Sequence, residues 1–246
     1  MSFADRTVLV TGATSGIGLS TVTHLLEHGS RVLALGRNFS QLDSLYPETG
    51  THALERIPYD LMQLDGYREL IAGFPKLNGV VLSAGVAINN PIKFFSLEKY
   101  QRTITLNQTS PLLLVAELYR AGKLAENASI VFVSSISGTV VGMKGLVDYS
   151  ASKAALVGIT RTLALELGLR KIRVNCVSPG MVNTPMVDNS TTLSHKDIDA
   201  DKKKYPLGQR YLESDEVARS IGFLLSNNSS FTTGQNMVID GGFCIH

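Results

Sequence analysis

Residues 7–18 have the sequence TVLVTGATSGIG and decide the fold of the chain. The run from Thr7 to Val10 is short and largely apolar, as is typical of a strand buried on both faces of a parallel sheet. A glycine-rich turn follows directly, and apolar residues then recur at helical spacing up to Leu26. This order predicts a dinucleotide-binding unit, because the glycines allow a tight turn and the helix N-terminus can face a pyrophosphate. The residues expected to contact the cofactor here are Gly12, Thr14, Ser15, Gly16, Ile17 and Gly18.

The alternation of strand and helix continues along the chain. Further strands are predicted at residues 31–35, 54–59, 79–82, 129–133, 172–177 and 237–240, with helices between them that include 61–74 and 96–119. At 246 residues with 44% hydrophobic content, the chain is long enough for one sizeable α/β domain and short for two. We therefore expect a single dinucleotide-binding and catalytic domain over residues 1–246.

The charge balance argues against a general attraction to nucleic acid or to a membrane surface. The net charge is +2, from 23 basic and 21 acidic residues, and no apolar stretch is long enough to span a bilayer. Two cysteines and the absence of a leader pattern favour a reducing compartment, so we expect a cytoplasmic protein without nucleic-acid or membrane partners. A metal site is not expected, because Cys244 and His246 offer only two ligands at the chain end.

The end of the second strand bears on the choice of cofactor. In a dinucleotide fold an acidic residue here binds the adenosine ribose hydroxyls, whereas an arginine accommodates a 2′-phosphate. Gly36 stands where the acid is expected, and Arg37 and Asn38 follow. A guanidinium binds phosphate in forked fashion, so the sequence favours NADP(H) over NAD(H). The alternative is an ordinary exposed arginine after a strand.

Three other strand ends should border the same crevice, because ligands of open α/β sheets lie at the carboxyl ends of the strands. Asp60 follows the third strand and is expected near the adenine, although aspartate there is also a good helix N-cap. The small residues after the fourth strand would let the backbone pass close to a ligand. The additional residues expected to contact the cofactor are Leu61, Ser83, Ala84, Gly85, Pro179, Gly180, Val182 and Thr184.

The pair Tyr149 and Lys153 provides candidate chemistry. On a helix the two residues are four apart and share a face, so the ammonium can lie beside the phenol. A cation there favours the phenolate and is predicted to lower the pKa of Tyr149 toward a range useful for proton transfer. An exposed Tyr–Lys helix pair is the common alternative. The presence of the glycine turn, Asn107 and Ser135 in the same chain favours the functional interpretation.

Two further segments border this candidate site. Asn107 lies in the middle of the helix predicted at 96–119, and Pro111 soon after it predicts a local disruption that could free backbone groups to organise water. A locally bonded helix asparagine is the alternative. Residues 187–210 are polar and charged with few apolar anchors, and they are predicted to form a substrate lid beside the crevice.

With the glycine turn, Asn107, Ser135 and the Tyr149-x-x-x-Lys153 pair in this order, the chain resembles the short-chain dehydrogenase/reductase superfamily over essentially its whole length. The shared motifs also include Arg173-Val174-Asn175 and Ser178-Pro179-Gly180. Gly36-Arg37, the compact region from Asp60 to Gly79 and the ending Gly241-Gly242-Phe243 look most like its tetrameric carbonyl reductase and L-xylulose reductase branch. The resemblance implies a Rossmann-like, doubly wound sheet of about seven mostly parallel strands with helices on both faces. It also implies a homotetramer.

The resemblance assigns roles to four side chains. Tyr149 is implied to give a proton to the carbonyl oxygen as hydride arrives from the nicotinamide, and Ser135 to polarise that oxygen. Lys153 is implied to lower the pKa of Tyr149 and to bind the nicotinamide ribose, and Asn107 to hold a water that relays protons to Lys153. Tyr149 and Lys153 are both implied to contact the cofactor. These roles fit the chemistry, since an unperturbed tyrosine with a pKa of about 10 transfers protons slowly near neutrality.

The chain departs from the family pattern at three places. Leu82-Ser83 replaces two asparagines that help to brace the loop after the fourth strand. Ser15 stands where NADP(H)-preferring relatives often carry a basic residue, so phosphate recognition would depend mainly on Arg37. The interval before Tyr149 is about one residue longer than usual, so Ser134 and Ser137 are rivals of Ser135, which matches the family spacing to the following glycine.

The predicted function is an oxidoreductase that interconverts a ketone or aldehyde and an alcohol with NADP(H). The alternatives are a 3-oxoacyl thioester reductase, an NAD-dependent alcohol or polyol dehydrogenase, and a dinucleotide-sensing module without turnover. A pure sensor has no need of Ser135, Tyr149 and Lys153 together, which favours the enzyme. The mixed charge of residues 187–210 favours a small polar carbonyl substrate.

Overall fold

The computed structural model describes residues 2–47, 53–188 and 195–245, and within this part the side chains of 187–188 and 195–197 are left undescribed. Seven parallel strands form one sheet in the order β3-β2-β1-β4-β5-β6-β7. The strands are β1 (Thr7–Thr11), β2 (Arg31–Gly36), β3 (Leu54–Pro58), β4 (Leu77–Leu82), β5 (Leu124–Val133), β6 (Arg173–Pro179) and β7 (Asn236–Ile239).

Helices connect these strands and cover both faces of the sheet. They are α1 (Gly16–Glu27), α2 (Ser40–Leu45), α3 (Tyr67–Ala72), α4 (Leu97–Ile104), α5 (Ser110–Arg120), α6 (Val147–Gly168), α7 (Pro185–Asp188), α8 (His195–Lys202) and α9 (Ser214–Leu225). A π-helical segment, Thr105–Thr109, joins α4 to α5. The doubly wound α/β fold predicted from the sequence is therefore confirmed.

The strand order reverses between β1 and β4, which places a crevice at their carboxyl ends. Thr11 pairs with Leu35 of β2 on one side and with Leu82 of β4 on the other. The glycine turn leaves β1 at this point, and the loops after β4, β5 and β6 leave the same edge of the sheet. Ligands of doubly wound folds bind at such a reversal, so the fold brings the predicted site segments together.

Apolar side chains fill a separate layer on each face of the sheet. One layer includes residues of α3, α5 and α6, such as Tyr67, Leu114 and Leu156. The other includes residues of α1 and α9, such as Leu25 and Ile221. The inner strands, such as β1, β2 and β4, are buried on both faces, which explains why their sequences are largely continuous apolar runs.

Two predicted elements differ from the observed ones. The helix predicted at 61–74 is wrong in its first half, where a turn and a 3₁₀ segment, Leu64–Gly66, precede α3. The strand predicted at 129–133 is longer and begins at Leu124. The helix predicted at 96–119 is confirmed, with its disruption at the π-helical segment.

In the described residues no helix is both long and apolar enough to cross a membrane. Residues 189–194 of the lid predicted at 187–210 lie outside the described residues. Its remaining part includes α8 and the segment before α9, where Arg210 forms an ion pair with Glu216.

Candidate active site

The glycine turn after β1 has no room for side chains at two of its glycines. Gly12 has a φ of +63°, and a Cβ on it would lie 2.9 Å from the backbone of Ala84. A Cβ on Gly18 would lie 2.0 Å from the carbonyl oxygen of Gly12. The turn therefore packs against itself and against the loop after β4. The first turn of helix α1 contains no acidic residue, so the positive N-terminus of this helix suits an anionic pyrophosphate.

Thr11 braces the loop in which the two family asparagines are missing. Its Oγ1 accepts hydrogen bonds from the backbone N–H groups of Ser83 at 3.2 Å and of Ala84 at 3.3 Å. The hydroxyl is buried with the rest of its residue. This role of Thr11 was not predicted from the sequence, although a polar residue at the end of an otherwise apolar strand indicates a hydrogen-bonding role.

The end of β2 has no room for a side chain where a carboxylate would stand in an NAD-binding protein. A Cβ on Gly36 would lie 2.6 Å from Cγ2 of Thr14, so a side chain there would displace Thr14. Arg37 is exposed, and among the described residues it forms no hydrogen bond or ion pair. The guanidinium is therefore available to a phosphate at this strand end.

Two of the predicted cofactor residues have local structural roles. Oδ1 of Asn38 accepts a hydrogen bond from the N–H of Ser40 at the start of α2, 2.9 Å away. Oδ1 of Asp60 accepts one from the N–H of Met62, 3.0 Å away. Both are side-chain-capped turns of the kind that polar residues form after strands. Leu61 is buried, and its carbonyl accepts a hydrogen bond from the hydroxyl of Tyr67.

The loop after β6 lies against the glycine turn, as predicted. A Cβ on Gly16 would lie 3.0 Å from Cγ2 of Thr184. Gly180 and Val182 lie between this contact and β6, and Val182 forms an isolated bridge with Leu212. The carbonyl of Pro179 accepts a hydrogen bond from the N–H of Ile136, which ties this loop to the loop after β5.

Tyr149 and Lys153 occupy one face of α6, four residues apart. Nζ of Lys153 lies 5.7 Å from the centre of the Tyr149 ring. The ammonium is buried and donates a hydrogen bond to the carbonyl of Val133, 2.8 Å away at the end of β5. A Cβ on Gly85 would lie 3.4 Å from Nζ, so the loop after β4 passes directly over the ammonium. The helix predicted around this pair is confirmed.

The pKa values of this pair differ from the predicted ones. Burial raises the pKa of Tyr149 above its ordinary value of 10.0, and only the hydroxyl of Ser135 acts to lower it. Burial lowers the pKa of Lys153 from 10.5 to about 8. The predicted lowering of the Tyr149 pKa by Lys153 is therefore wrong for the protein itself, since desolvation raises this pKa and the ammonium is bonded to the carbonyl of Val133.

Three serines before Tyr149 were candidates for binding the substrate oxygen, namely Ser134, Ser135 and Ser137. They differ in exposure and in hydrogen-bond partners. The hydroxyl of Ser134 is buried and donates to the carbonyl of Lys153 at 2.7 Å. The hydroxyl of Ser137 is buried and bonded to that of Ser150 at 2.8 Å. Ser135 is partly exposed, and its Oγ accepts the N–H of Ser137 at 3.1 Å. Of the three serines it is the one that acts on the pKa of the Tyr149 phenol, so it is the serine that the fold brings to the tyrosine.

Asn107 lies in the π-helical segment, where the N–H of Ser110 bonds to the carbonyl five residues before it, that of Thr105. Pro111 has no N–H to give to the carbonyl of Asn107, four residues back, so this carbonyl loses its usual helical donor. The side chain of Asn107 is buried and exchanges two hydrogen bonds, each of 2.9 Å, with the backbone of Val86. The side chain of Asn107 is therefore bonded to a distant loop and not locally within its helix, and its carbonyl lacks the donor that a regular α-helix would provide.

Comparison with known proteins extends over nearly the whole chain. A family model described as enoyl-(acyl carrier protein) reductase matches residues 12–244. An L-xylulose reductase of Caenorhabditis elegans is 37% identical and aligns with 98% of this chain and 96% of its own length. A 3-oxoacyl-[acyl-carrier-protein] reductase of Thermotoga maritima is 33% identical, with both chains covered completely.

Solved structures show the same architecture. A short-chain dehydrogenase/reductase from Brucella melitensis, described as a glucose/ribitol dehydrogenase, superposes with a TM-score of 0.89. Its sequence is 29% identical, and 99% of each chain is covered. The similarity therefore includes every segment of the crevice described above.

Proposed function

The chain belongs to the short-chain dehydrogenase/reductase family, and we propose that it reduces a small ketone or aldehyde with NADPH, using Tyr149 as the general acid. As a member of this family it is an oxidoreductase that interconverts carbonyl and alcohol groups with a nicotinamide cofactor. The observation that supports the specific proposal is the grouping of Ser135, Tyr149 and Lys153 at the carboxyl end of the sheet. Such a set of proton donors is what reduction of a carbonyl requires.

The residues around the crevice fit a dinucleotide. The glycine turn and the N-terminus of α1 would hold its pyrophosphate, and Lys153 its nicotinamide ribose. The loop after β4 and the segment from Pro179 to Thr184 would border the nicotinamide. When bound, the nicotinamide supplies the hydride, and the protein's own groups have to supply the proton.

The protonation states are those that reduction requires. The phenol of Tyr149 keeps its proton at neutral pH, as a general acid must, although burial raises its pKa and so makes it a weaker acid before the substrate binds. Tyr149 gives this proton to the oxygen of the substrate, while the hydroxyl of Ser135 donates a hydrogen bond to the negative charge that develops there. Lys153, with a pKa of about 8, is largely charged at neutral pH and stabilises the phenolate that remains. The freed carbonyl of Asn107 is proposed to hold the water through which the proton is replaced.

The cofactor preference is proposed to depend on Arg37. Arg37→Ser is expected to weaken NADPH binding roughly 10- to 100-fold, because it removes a charge-assisted contact with the 2′-phosphate. NADH has no such phosphate, so its dissociation constant should change less than about twofold. Fluorescence titration of the purified protein with each nucleotide measures both values.

Arg31→Ser is the matched control for this titration. Arg31 begins the same strand, at the opposite edge of the sheet, and pairs with Glu55 at 2.9 Å on the surface. Its replacement should leave both dissociation constants unchanged. Equal weakening of NADPH and NADH by Arg37→Ser, or tighter binding of NADH by the unaltered protein, would contradict the proposed NADP(H) preference.

The substrate class is best tested with a panel of compounds that differ in the bond to be reduced, either a carbonyl or a carbon–carbon double bond. Oxidation of NADPH should be measured with a ketose, a diketone, a 3-oxoacyl thioester and an enoyl thioester. We expect turnover with the small carbonyls, as in the L-xylulose reductase that the chain resembles. The 3-oxoacyl thioester is the second candidate, supported by the complete alignment with the Thermotoga maritima reductase. Turnover of the enoyl thioester alone would contradict the proposal, since no carbonyl would then be reduced.

We also propose a homotetramer in the cytoplasm. Helix α6 leaves Leu165 82% exposed, and Leu169 just beyond its end is 96% exposed. Apolar side chains of this size fit an interface between copies of the chain. Both cysteines, Cys176 and Cys244, are free thiols, as expected in a reducing compartment. Light scattering should give about four times the 26.6 kDa mass of the chain, and a monomer would contradict the tetramer.

A further inference from the structure

We propose that Asp148 is a positioning residue for carbonyl reduction, an inference that rests on the proposed function. Its buried carboxylate fixes the helical turn that presents Tyr149 and ties this turn to the segment 86–96 after β4. The residue precedes Tyr149 in the sequence and is 0% exposed. In the described part of the chain it forms no ion pair.

Both carboxylate oxygens of Asp148 accept hydrogen bonds. Oδ1 accepts the N–H of Tyr149 at 2.8 Å. Oδ2 accepts longer bonds from the hydroxyl of Thr103, at 3.3 Å, and from Nδ2 of Asn90, at 3.5 Å. Thr103 and Asn90 are themselves 0% exposed. The shortest of the three bonds goes to the backbone of the proposed acid, so the carboxylate acts most directly on Tyr149 itself.

A buried carboxylate without a cation partner is costly unless its surroundings stabilise the charge. Asp148 lies in the first turn of α6, a helix of 22 residues, where the positive end of the helix dipole favours an anion. Three neutral donors complete its coordination, as described above. An exposed aspartate would favour the start of a helix equally well. Burial of the carboxylate with three hydrogen-bond donors therefore indicates that it fixes the position of the first turn of α6.

Asn90 extends the network to the segment 86–96. Its Oδ1 accepts the N–H of Ser96 at 2.8 Å, and its Nδ2 donates to the carbonyl of Ser96 at 3.0 Å. Its backbone N–H donates to the carbonyl of Gly145, 2.7 Å away in the loop before α6. A Cβ on Gly145 would lie 2.4 Å from Oδ1 of Asn89, so this approach of the two segments requires glycine.

The other end of the same segment is held by Asn107, through its two bonds to Val86. The segment is therefore fixed at residue 86 by the helix containing Asn107 and at residue 90 by the carboxylate next to Tyr149. Residues 87–89 span the gap between these attachments, at the carboxyl edge of the sheet where the substrate is expected. Asp148 thus sets the position of Tyr149 relative to one wall of the crevice.

The substitution Asp148→Asn tests this role, because the two side chains have the same shape. The amide oxygen of the variant could still accept the N–H of Tyr149, but its NH₂ group would face that of Asn90. We expect kcat per NADPH-binding site to fall roughly 10- to 100-fold, as displacement of a reacting group by about 1 Å can do. The dissociation constant of NADPH should change less than about twofold, since in the described residues no hydrogen bond joins Asp148, Asn90 or Thr103 to the glycine turn.

Two further comparisons separate positioning from stability. Asp215→Asn is the matched control, since Asp215 holds the same second position of its helix, α9, but is exposed and paired with Arg219. Thr103→Val should lower kcat in the same direction as Asp148→Asn, and Thr103→Ser, which keeps the hydroxyl, should restore it. A purely structural role would lower the melting temperature and the folded fraction while kcat per NADPH-binding site remained within about twofold of the unaltered protein, which would overturn the inference.

Hydrogen exchange of the Tyr149 amide gives a readout that does not depend on turnover. Asp148→Asn should accelerate this exchange at least about tenfold relative to Asp215→Asn, and equal protection in the two variants would overturn the inference. If the unaltered protein reduces no carbonyl, the proposed function fails by itself. The exchange result then still decides whether Asp148 fixes this turn.

Discussion

Tyr149→Phe is expected to lower kcat for carbonyl reduction at least about 100-fold, the loss typical of removing a general acid. Phenylalanine keeps the ring beside Lys153 and removes only the hydroxyl of the proposed acid. The proton for the substrate oxygen would then have to come from water. Steady-state rates with NADPH and the best carbonyl of the substrate panel measure the effect.

Binding of NADPH should be nearly unchanged in this variant, because the phenol is assigned to the substrate oxygen. Tyr119→Phe is a suitable control, since Tyr119 is an exposed tyrosine at the surface of α5. It should retain full activity. If Tyr149→Phe kept the rate of the unaltered protein, the assignment of the general acid would be wrong.

Lys153→Met is expected to lower kcat about 100-fold or more, because it removes the buried charge that stabilises the phenolate. The same substitution has a pH-dependent effect on stability. The pKa of Lys153 is about 8 in the folded protein and 10.5 when unperturbed. Between these values the unfolded chain binds more protons than the folded one, so the free energy of unfolding of the unaltered protein rises with pH relative to the variant.

The difference in free energy of unfolding between the two proteins should shift by about 2 kcal/mol in favour of the unaltered protein from about pH 8 to about pH 10. Urea unfolding at several pH values measures this shift. Lys171→Met is the control, because Lys171 is exposed and its pKa is raised by Glu126. A shift of the same sign and size in both variants would show that the effect does not come from burial of Lys153.

The strands and the crevice could be predicted because their sequence signals are local. A continuous apolar run such as Thr7 to Val10 indicates a strand buried on both faces, and the glycines after it have no room for a side chain in the folded turn. The interrupted helix around Asn107 could be predicted for a similar reason, since Pro111 cannot donate to the carbonyl four residues before it.

The two segments whose secondary structure was predicted wrongly, 61–74 and 129–133, depend on side-chain hydrogen bonds or on contacts with distant strands. Oδ1 of Asp60 captures the N–H of Met62, which competes with helix formation at the start of the segment predicted as helix 61–74. The added part of β5 begins with Leu124, which pairs with Leu77 of β4 across a register shift, and such pairing depends on a distant strand.

The chemistry of the site was only partly predictable for the same reason. Spacing alone placed Lys153 beside Tyr149, but the direction of its ammonium depends on Val133, which lies 20 residues earlier and on another element. Burial then raises the pKa of Tyr149, opposite to the prediction. The role of Asp148 was also hidden, since its partners Asn90 and Thr103 come together only in the folded chain.

The central claim is that this protein transfers hydride from NADPH to a carbonyl carbon while Tyr149 supplies the proton. The most direct test is a reaction with NADPH that carries deuterium at both hydrogen positions of the transferring carbon, followed by mass spectrometry of the alcohol formed. We predict one deuterium on the former carbonyl carbon with the unaltered protein and almost none in the same time with Tyr149→Phe. Oxidation of NADPH without deuterium in the product, or equal labelling by the two proteins, would contradict the account.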